Sequence, residues 1–148
     1  MRSVPKRTEY VAWRTVTTRW RDDDAYGHLN NATYYELFDT AVNAHLYEAT
    51  GLDVRSLPQI GVVAETSCCY FRELGFPAPI EMGMVVDKVG TSSVVYRIGL
   101  FQGDSDEAAA EGRFVHVYVD NTDPARPVTP MPDSVRAVVE PLLRPATP

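Results

Sequence analysis

Cysteine is nearly absent from this chain. Its two cysteines, Cys68 and Cys69, are adjacent, so they offer neither a disulfide framework nor the spacing of a metal site. The simplest placement is a half-buried strand of a cytoplasmic protein, one thiol facing each side. Basic runs are missing too. With a net charge of −6, the chain lacks the cationic surface that a phosphate backbone requires, which argues against a nucleic-acid partner. A small anionic ligand could still be held by backbone amides and a few local Arg or Lys side chains. No segment approaches the roughly 20 apolar residues of a membrane helix. The basic start, Met1 to Arg7, has no apolar stretch behind it, so neither a membrane span nor a secretory signal is expected. No internal repeat is evident, and compositional bias is confined to a tail bearing Pro124, Pro127, Pro130 and Pro132.

What the chain does have is enough apolar material for one core. At 148 residues and 45% hydrophobic, it suits a single domain over 1–148, with 121–148 as a Pro-rich tail carrying a short helix. The Val-, Thr- and Trp-rich run from Glu9 to Trp20 reads as a strand, with Val16, Thr18 and Trp20 on one face. A polar run from Arg21 to His28 reads as a loop. A long helix follows, capped by Asn30 or Asn31, with an apolar stripe at Tyr34, Leu37, Phe38, Ala41 and Val42 and a stop at Gly51. The rest is strand-like. Ile60–Phe71 would have Val62, Ala64, Thr66, Cys68 and Tyr70 on one side. Further strands run through Ile80–Val86, through Val94–Leu100 and around Gly112–Asp120, with a helical segment over Asp133–Leu143. The order predicts an α+β fold: an antiparallel sheet of about five strands wrapped around one long helix. One helix cannot cover the whole sheet, so a free edge or apolar surface should remain and favour self-association.

Chemistry-bearing residues concentrate between Arg21 and Asn31. Asp22, Asp23 and Asp24 repel one another. Either Arg19 and Arg21 compensate them in part, or one acid has a raised pKa. A glycine and a helix start come directly after. The unpaired amides of a helix N-terminus favour an oxygen that is developing negative charge. A carboxylate beside such an amide could attack a carbonyl or activate water to do so. A calcium loop would need an acid at Tyr26 and a Glu at Thr33, and a phosphatase would need a buried apolar strand ahead of its acids. Neither fits. A solvated acidic turn followed by an Asn cap remains a reading of the same residues.

The pattern Asp-x-Asp-x-x-Gly-His-x-Asn-Asn-x-x-Tyr, formed by Asp22, Asp24, Gly27, His28, Asn30, Asn31 and Tyr34, resembles the 4-hydroxybenzoyl-CoA thioesterase family of hotdog proteins. It is especially similar to that family's bacterial acyl-CoA thioesterases. Ala64-Glu65-Thr66, Tyr70-Phe71-Arg72, Ser92-Ser93 and Pro130-Met131-Pro132 extend the likeness over nearly the whole chain. The resemblance implies a hotdog fold, hydrolysis of an acyl- or aroyl-CoA thioester, no metal or other cofactor, and a homodimer or homotetramer with each site at a protomer boundary.

It implies Asp24 as nucleophile or general base and the Asn31 backbone amide as the group polarising the thioester oxygen. Gly27, His28 and Asn30 would form the substrate-binding loop. His28 could equally anchor the loop, Asp22 would hold its shape, and Asp23 has no role and faces solvent. Arg72, Lys88 and Arg97 are candidates for the CoA phosphates. His45 and His116 read as structural, and Met82 and Met84 as sheet core. Tyr34, Tyr35 and Phe38 are expected to pack the helix against the sheet. Glu65 could face a site near the helix, but is given no catalytic role. Phe76-Pro77-Ala78-Pro79 departs from the Gly-Asp pair common in relatives and would reshape the pocket edge. Two rival readings stay open: a non-catalytic acyl-CoA-binding module, and a hotdog dehydratase or hydratase.

Overall fold

The fold, given by a computed structural model, is described for residues 3–144. Five strands, β1 (Ala12–Val16), β2 (Gln59–Tyr70), β3 (Ile80–Val89), β4 (Ser93–Phe101) and β5 (Ala110–Asp120), form one antiparallel sheet. Its order is β1-β3-β4-β5-β2. Strands β3 to β5 are a meander, and β2 crosses to the far edge. Helix α1 (Asn31–Thr50) lies across the concave face, and the short α2 (Asp133–Val139) packs beside it.

Local chemistry sets the ends of α1. The Asn30 side chain accepts from the Ala32 N–H at 3.0 Å, the usual Asn cap. Gly51 at the other end adopts φ 69°, the left-handed conformation that terminates helices, and its N–H bonds the Tyr47 carbonyl. Between them Tyr34, Phe38, Ala41, Val42 and Leu46 are buried at helical spacing against Ile80, Met82, Met84, Tyr96, Ile98 and Leu100. Phe38 sits so close to the sheet that a Cβ on Gly112 would stand 2.4 Å from its ring. Glycine there is what lets the helix approach.

The convex face is covered by the chain before β1. Tyr10 lies over Gly83 and Gly99. Its hydroxyl donates to the buried Glu111 carboxylate at 2.5 Å. Arg97 joins Glu111 to Asp87, so this buried carboxylate is paired rather than bare.

Two expectations about strands are corrected. The first strand ends at Val16 rather than reaching Trp20. The Asp22 carboxylate accepts from the Arg19 backbone N–H at 2.8 Å and folds Trp20–Asp22 into a 3-10 turn that leaves Trp20 exposed. In β2, the register against β5 slips between Val63 and Glu65. This bulge inverts the alternation, so Gly61 and Val63 share the helix side with Thr66, Cys68 and Tyr70, while Val62 leaves it. Glu65 therefore points to the opposite face and pairs with Arg113.

Candidate active site

The loop from Asp22 to Asn30 is closed by its own backbone. Asn30 N–H donates to the Asp22 carbonyl at 2.7 Å, Asp24 N–H to the His28 carbonyl at 2.8 Å, and Leu29 N–H to the Leu74 carbonyl at 2.7 Å. Asp22 is buried. Burial alone would raise its pKa, but hydrogen bonds from the Arg19 guanidinium and backbone outweigh that and hold it below the usual carboxylate range. It shapes the loop, as expected. Asp23 does not simply face solvent: it is half-buried and accepts the Phe76 N–H at 3.1 Å. That contact ties the loop to the Phe76–Pro79 segment, 53 residues on, and no local pattern foretells it.

Asp24 is exposed. Its Oδ1 accepts from the Tyr26 N–H at 2.8 Å and the His28 N–H at 3.2 Å, while Oδ2 has no hydrogen bond among the described residues. One oxygen holds the turn and the other is open to a ligand. Gly27 has φ 79° with open space where a Cβ would project, so a substrate can approach the backbone there. His28 Nε2 lies 3.0 Å from the Glu73 carboxylate, an anchoring contact at the rim.

Asn30 is the helix cap and Asn31 the first residue of α1. The Ala32 N–H is taken by the Asn30 side chain and the Thr33 N–H by the Asn30 carbonyl. The Asn31 N–H has no acceptor among the described residues, and it opens onto the positive end of a 20-residue helix. The Tyr70 hydroxyl donates to the Asn31 side-chain oxygen and so fixes this first turn. Tyr70 also stacks edge-on against Tyr34, with ring centres 5.0 Å apart.

Clefts lie on both sides of the loop. One, of about 460 Å³, is lined by Trp20, Asp23, Asp24, Ala25 and Gly27. Phe76 meets Trp20 edge-on at 5.9 Å, so the Phe76–Pro79 departure does shape this rim. The other, of about 280 Å³, lies among His28, Tyr34, Tyr70, Arg72 and Glu73. Of the three cations considered for phosphates, only Arg72 borders it, with its guanidinium bonded to the Ser105 hydroxyl and the Glu107 carbonyl. Arg97 is committed to the convex-face network, and Lys88 is exposed on β3. Tyr34 packs the helix as expected and, with Tyr70, also forms an aromatic wall of this cleft. No cluster of three or more potential metal ligands occurs among the described residues. His45 is bonded through Nε2 to the Val138 carbonyl at 3.0 Å.

This sheet wrapped on one long helix, with an aspartate loop leading into the helix start, is a hotdog fold. The sequence profile of the thioesterase-like superfamily matches residues 18–139, and the chain belongs to that superfamily. It is similar to the PA5185 protein from Pseudomonas aeruginosa, at 43% identity over 98% of this chain and 100% of that one, with a TM-score of 0.91. Two more distant structures share the fold. Slr0204, a 1,4-dihydroxy-2-naphthoyl-CoA thioesterase from Synechocystis, has 13% identity, a TM-score of 0.78, and coverage of 88% of this chain and 96% of that one. SAV2348 from Staphylococcus aureus, solved in complex with CoA, has 17% identity, a TM-score of 0.79, and coverage of 91% and 87%. No curated protein matches the chain.

Proposed function

We propose that this protein hydrolyses an acyl- or aroyl-CoA thioester to the free acid and CoA. The observation that carries the reading is one loop offering both parts of the chemistry. The open oxygen of Asp24 is a nucleophile or general base, and the Asn31 N–H at the start of α1 is an oxyanion donor. Membership of the thioesterase-like superfamily supports the reaction class. The CoA seen with SAV2348 and the aroyl-CoA substrate of Slr0204 support the kind of thioester. Gly27 and Asn30 keep the loop open and the helix start in place, and His28 orients the rim through Glu73. Residues 1–148 act as one catalytic unit. Cys68 and Cys69, which form no disulfide, suit the reducing cytoplasm.

The same reading includes a homodimer or a homotetramer built from it. Strand β2 is a sheet edge, and its residues Val63–Ser67 are all exposed. Such an unpaired ladder is a template for a second copy.

The test is thiol release from a panel of acyl- and aroyl-CoAs, comparing wild type with Asp24→Asn. Asparagine keeps an acceptor for the Tyr26 and His28 amides, so the loop stays closed while the carboxylate is lost. The expected result is hydrolysis by the wild type and a fall of about 100-fold or more in the variant. Hydrolysis that survives the substitution keeps the reaction and removes Asp24 from it. Asp24 Oδ1 is already occupied by its own loop, which is also what a purely structural aspartate would do. Acyl-CoA binding with no hydrolysis by the wild type would therefore mean a binding module, and hydration of an enoyl-CoA would mean a hydratase.

A further inference from the structure

The three acids of the loop are held in different ways. Asp22 is paired with the Arg19 guanidinium at 2.9 Å. Among the described residues neither Asp23 nor Asp24 has an ion pair. Asp23 accepts the uncharged Phe76 N–H through its two oxygens, at 3.1 and 3.2 Å, and Asp24 accepts the Tyr26 and His28 amides. Backbone amides thus fix both carboxylates in place without cancelling their charge. Both line the cleft of about 460 Å³, whose other walls are Trp20, Ala25 and Gly27. None of these lining residues is basic, and the exposed Arg21 lies outside them. Trp20 is 82% exposed and is met edge-on by Phe76, so the cleft has an apolar surface beside its two negative charges.

Charge sorts the two ends of a CoA thioester between the two clefts. With Asp24 at the reacting carbonyl, both ends start from the acidic cleft. The nucleotide end of CoA is polyanionic. It is repelled there and drawn to the other cleft, where Arg72 is exposed and Glu73 already faces His28 at 3.0 Å. The acyl group is left with the acidic cleft. An uncharged chain lies against the indole without meeting a like charge. A chain ending in a carboxylate brings a third negative charge beside two others. Even in water-like surroundings, each such pair near contact distance costs roughly 5-fold in binding.

We propose that Asp23 is a specificity-determining residue. Through its charge, the cleft admits uncharged acyl groups and rejects those that end in a carboxylate. This rests on the thioesterase reading, whose reacting group Asp24 lines the same cleft.

The test compares adipoyl-CoA, whose chain ends in a carboxylate, with its neutral methyl ester, by thiol release. Wild type should favour the ester by about 10-fold or more in kcat/KM. Asp23→Asn keeps an acceptor for the Phe76 N–H and removes the charge. It should narrow that gap about 5-fold, chiefly by lowering KM for adipoyl-CoA. A merely structural role would move both substrates together, and their ratio would not change. Ala25→Lys, which adds a cation to the same cleft, should also raise adipoyl-CoA relative to the ester. Equal hydrolysis of the two by wild type, or a gap that Asp23→Asn leaves unchanged, would overturn the proposal and keep the thioesterase. A gap unmoved by Ala25→Lys would place the acyl end elsewhere and overturn it too, even if Asp23→Asn fails to fold. Failure to hydrolyse the ester while other thioesters are cleaved would do the same. No hydrolysis of any thioester would remove the thioesterase reading, and this one with it.

Discussion

A buried neutral imidazole binds fewer protons than the same group in an unfolded chain, and His116 is the clearest instance here. Its pKa falls from 6.5 to about 4 because burial penalises the charged form. Between those values the unfolded state takes up the proton first, so stability is lost as pH falls through that window and is unaffected above it. Going from pH 7 to pH 5 should cost about 2 kcal/mol from this residue alone. Urea midpoints at the two pH values check it, and His116→Leu should flatten the difference. Asp22 acts lower on the scale. Its depressed pKa contributes stability that is present above the ordinary carboxylate range and lost below it. Also at the residue scale, Asp22, Asp24, Gly27, Asn30 and Asn31 are legible from their own stretch of sequence, because turns and caps are built from neighbours. The anchoring of Asp23 and the unpaired nitrogen of His116 are not. Their surroundings come from Phe76 and Gly61, which lie 53 and 55 residues away in the chain.

At the scale of the element, the contact between α1 and the sheet depends on the bare backbone of Gly112 beneath Phe38. Gly112→Ala forces a methyl group into the aromatic ring and should destabilise the fold by about 1–3 kcal/mol, the usual cost of overpacking. The denaturant midpoint reads this directly. A drop in midpoint with an unchanged slope is expected, because one added methyl barely changes the surface exposed on unfolding. Helix α1 is legible in the amino-acid pattern from cap to terminating glycine, since its signals repeat every three or four residues and need no partner. Strand β2 is legible only as a strand. Its bulge between Val63 and Glu65 is set by pairing with His116 and Val115 on β5, and one extra residue is enough to exchange the two faces. Glu65 is thereby sent to Arg113 on the convex side, away from the helix.

For the whole molecule, the exposed edge of β2 carries the expectation of a second copy. Placing lysines at Val63 and Thr66 puts like charges along that edge, two from each protomer, without touching the core. Light scattering should give a dimer or larger for the wild type and a monomer for the double variant. A wild-type monomer would remove self-association from the proposed function. The sequence by itself determined the helix, the strand content, the acidic loop leading into a capped helix start, and the superfamily those residues resemble. All of these rest on interactions within a few residues. The tertiary structure alone decided which strands stand at the edges, which face each side of β2 presents, what anchors Asp23, and that His116 Nδ1 is buried without a hydrogen-bond partner among the described residues. Each of these depends on strand pairings and close approaches between residues far apart in the chain, where the register of one strand on another, and not composition, fixes what a side chain meets.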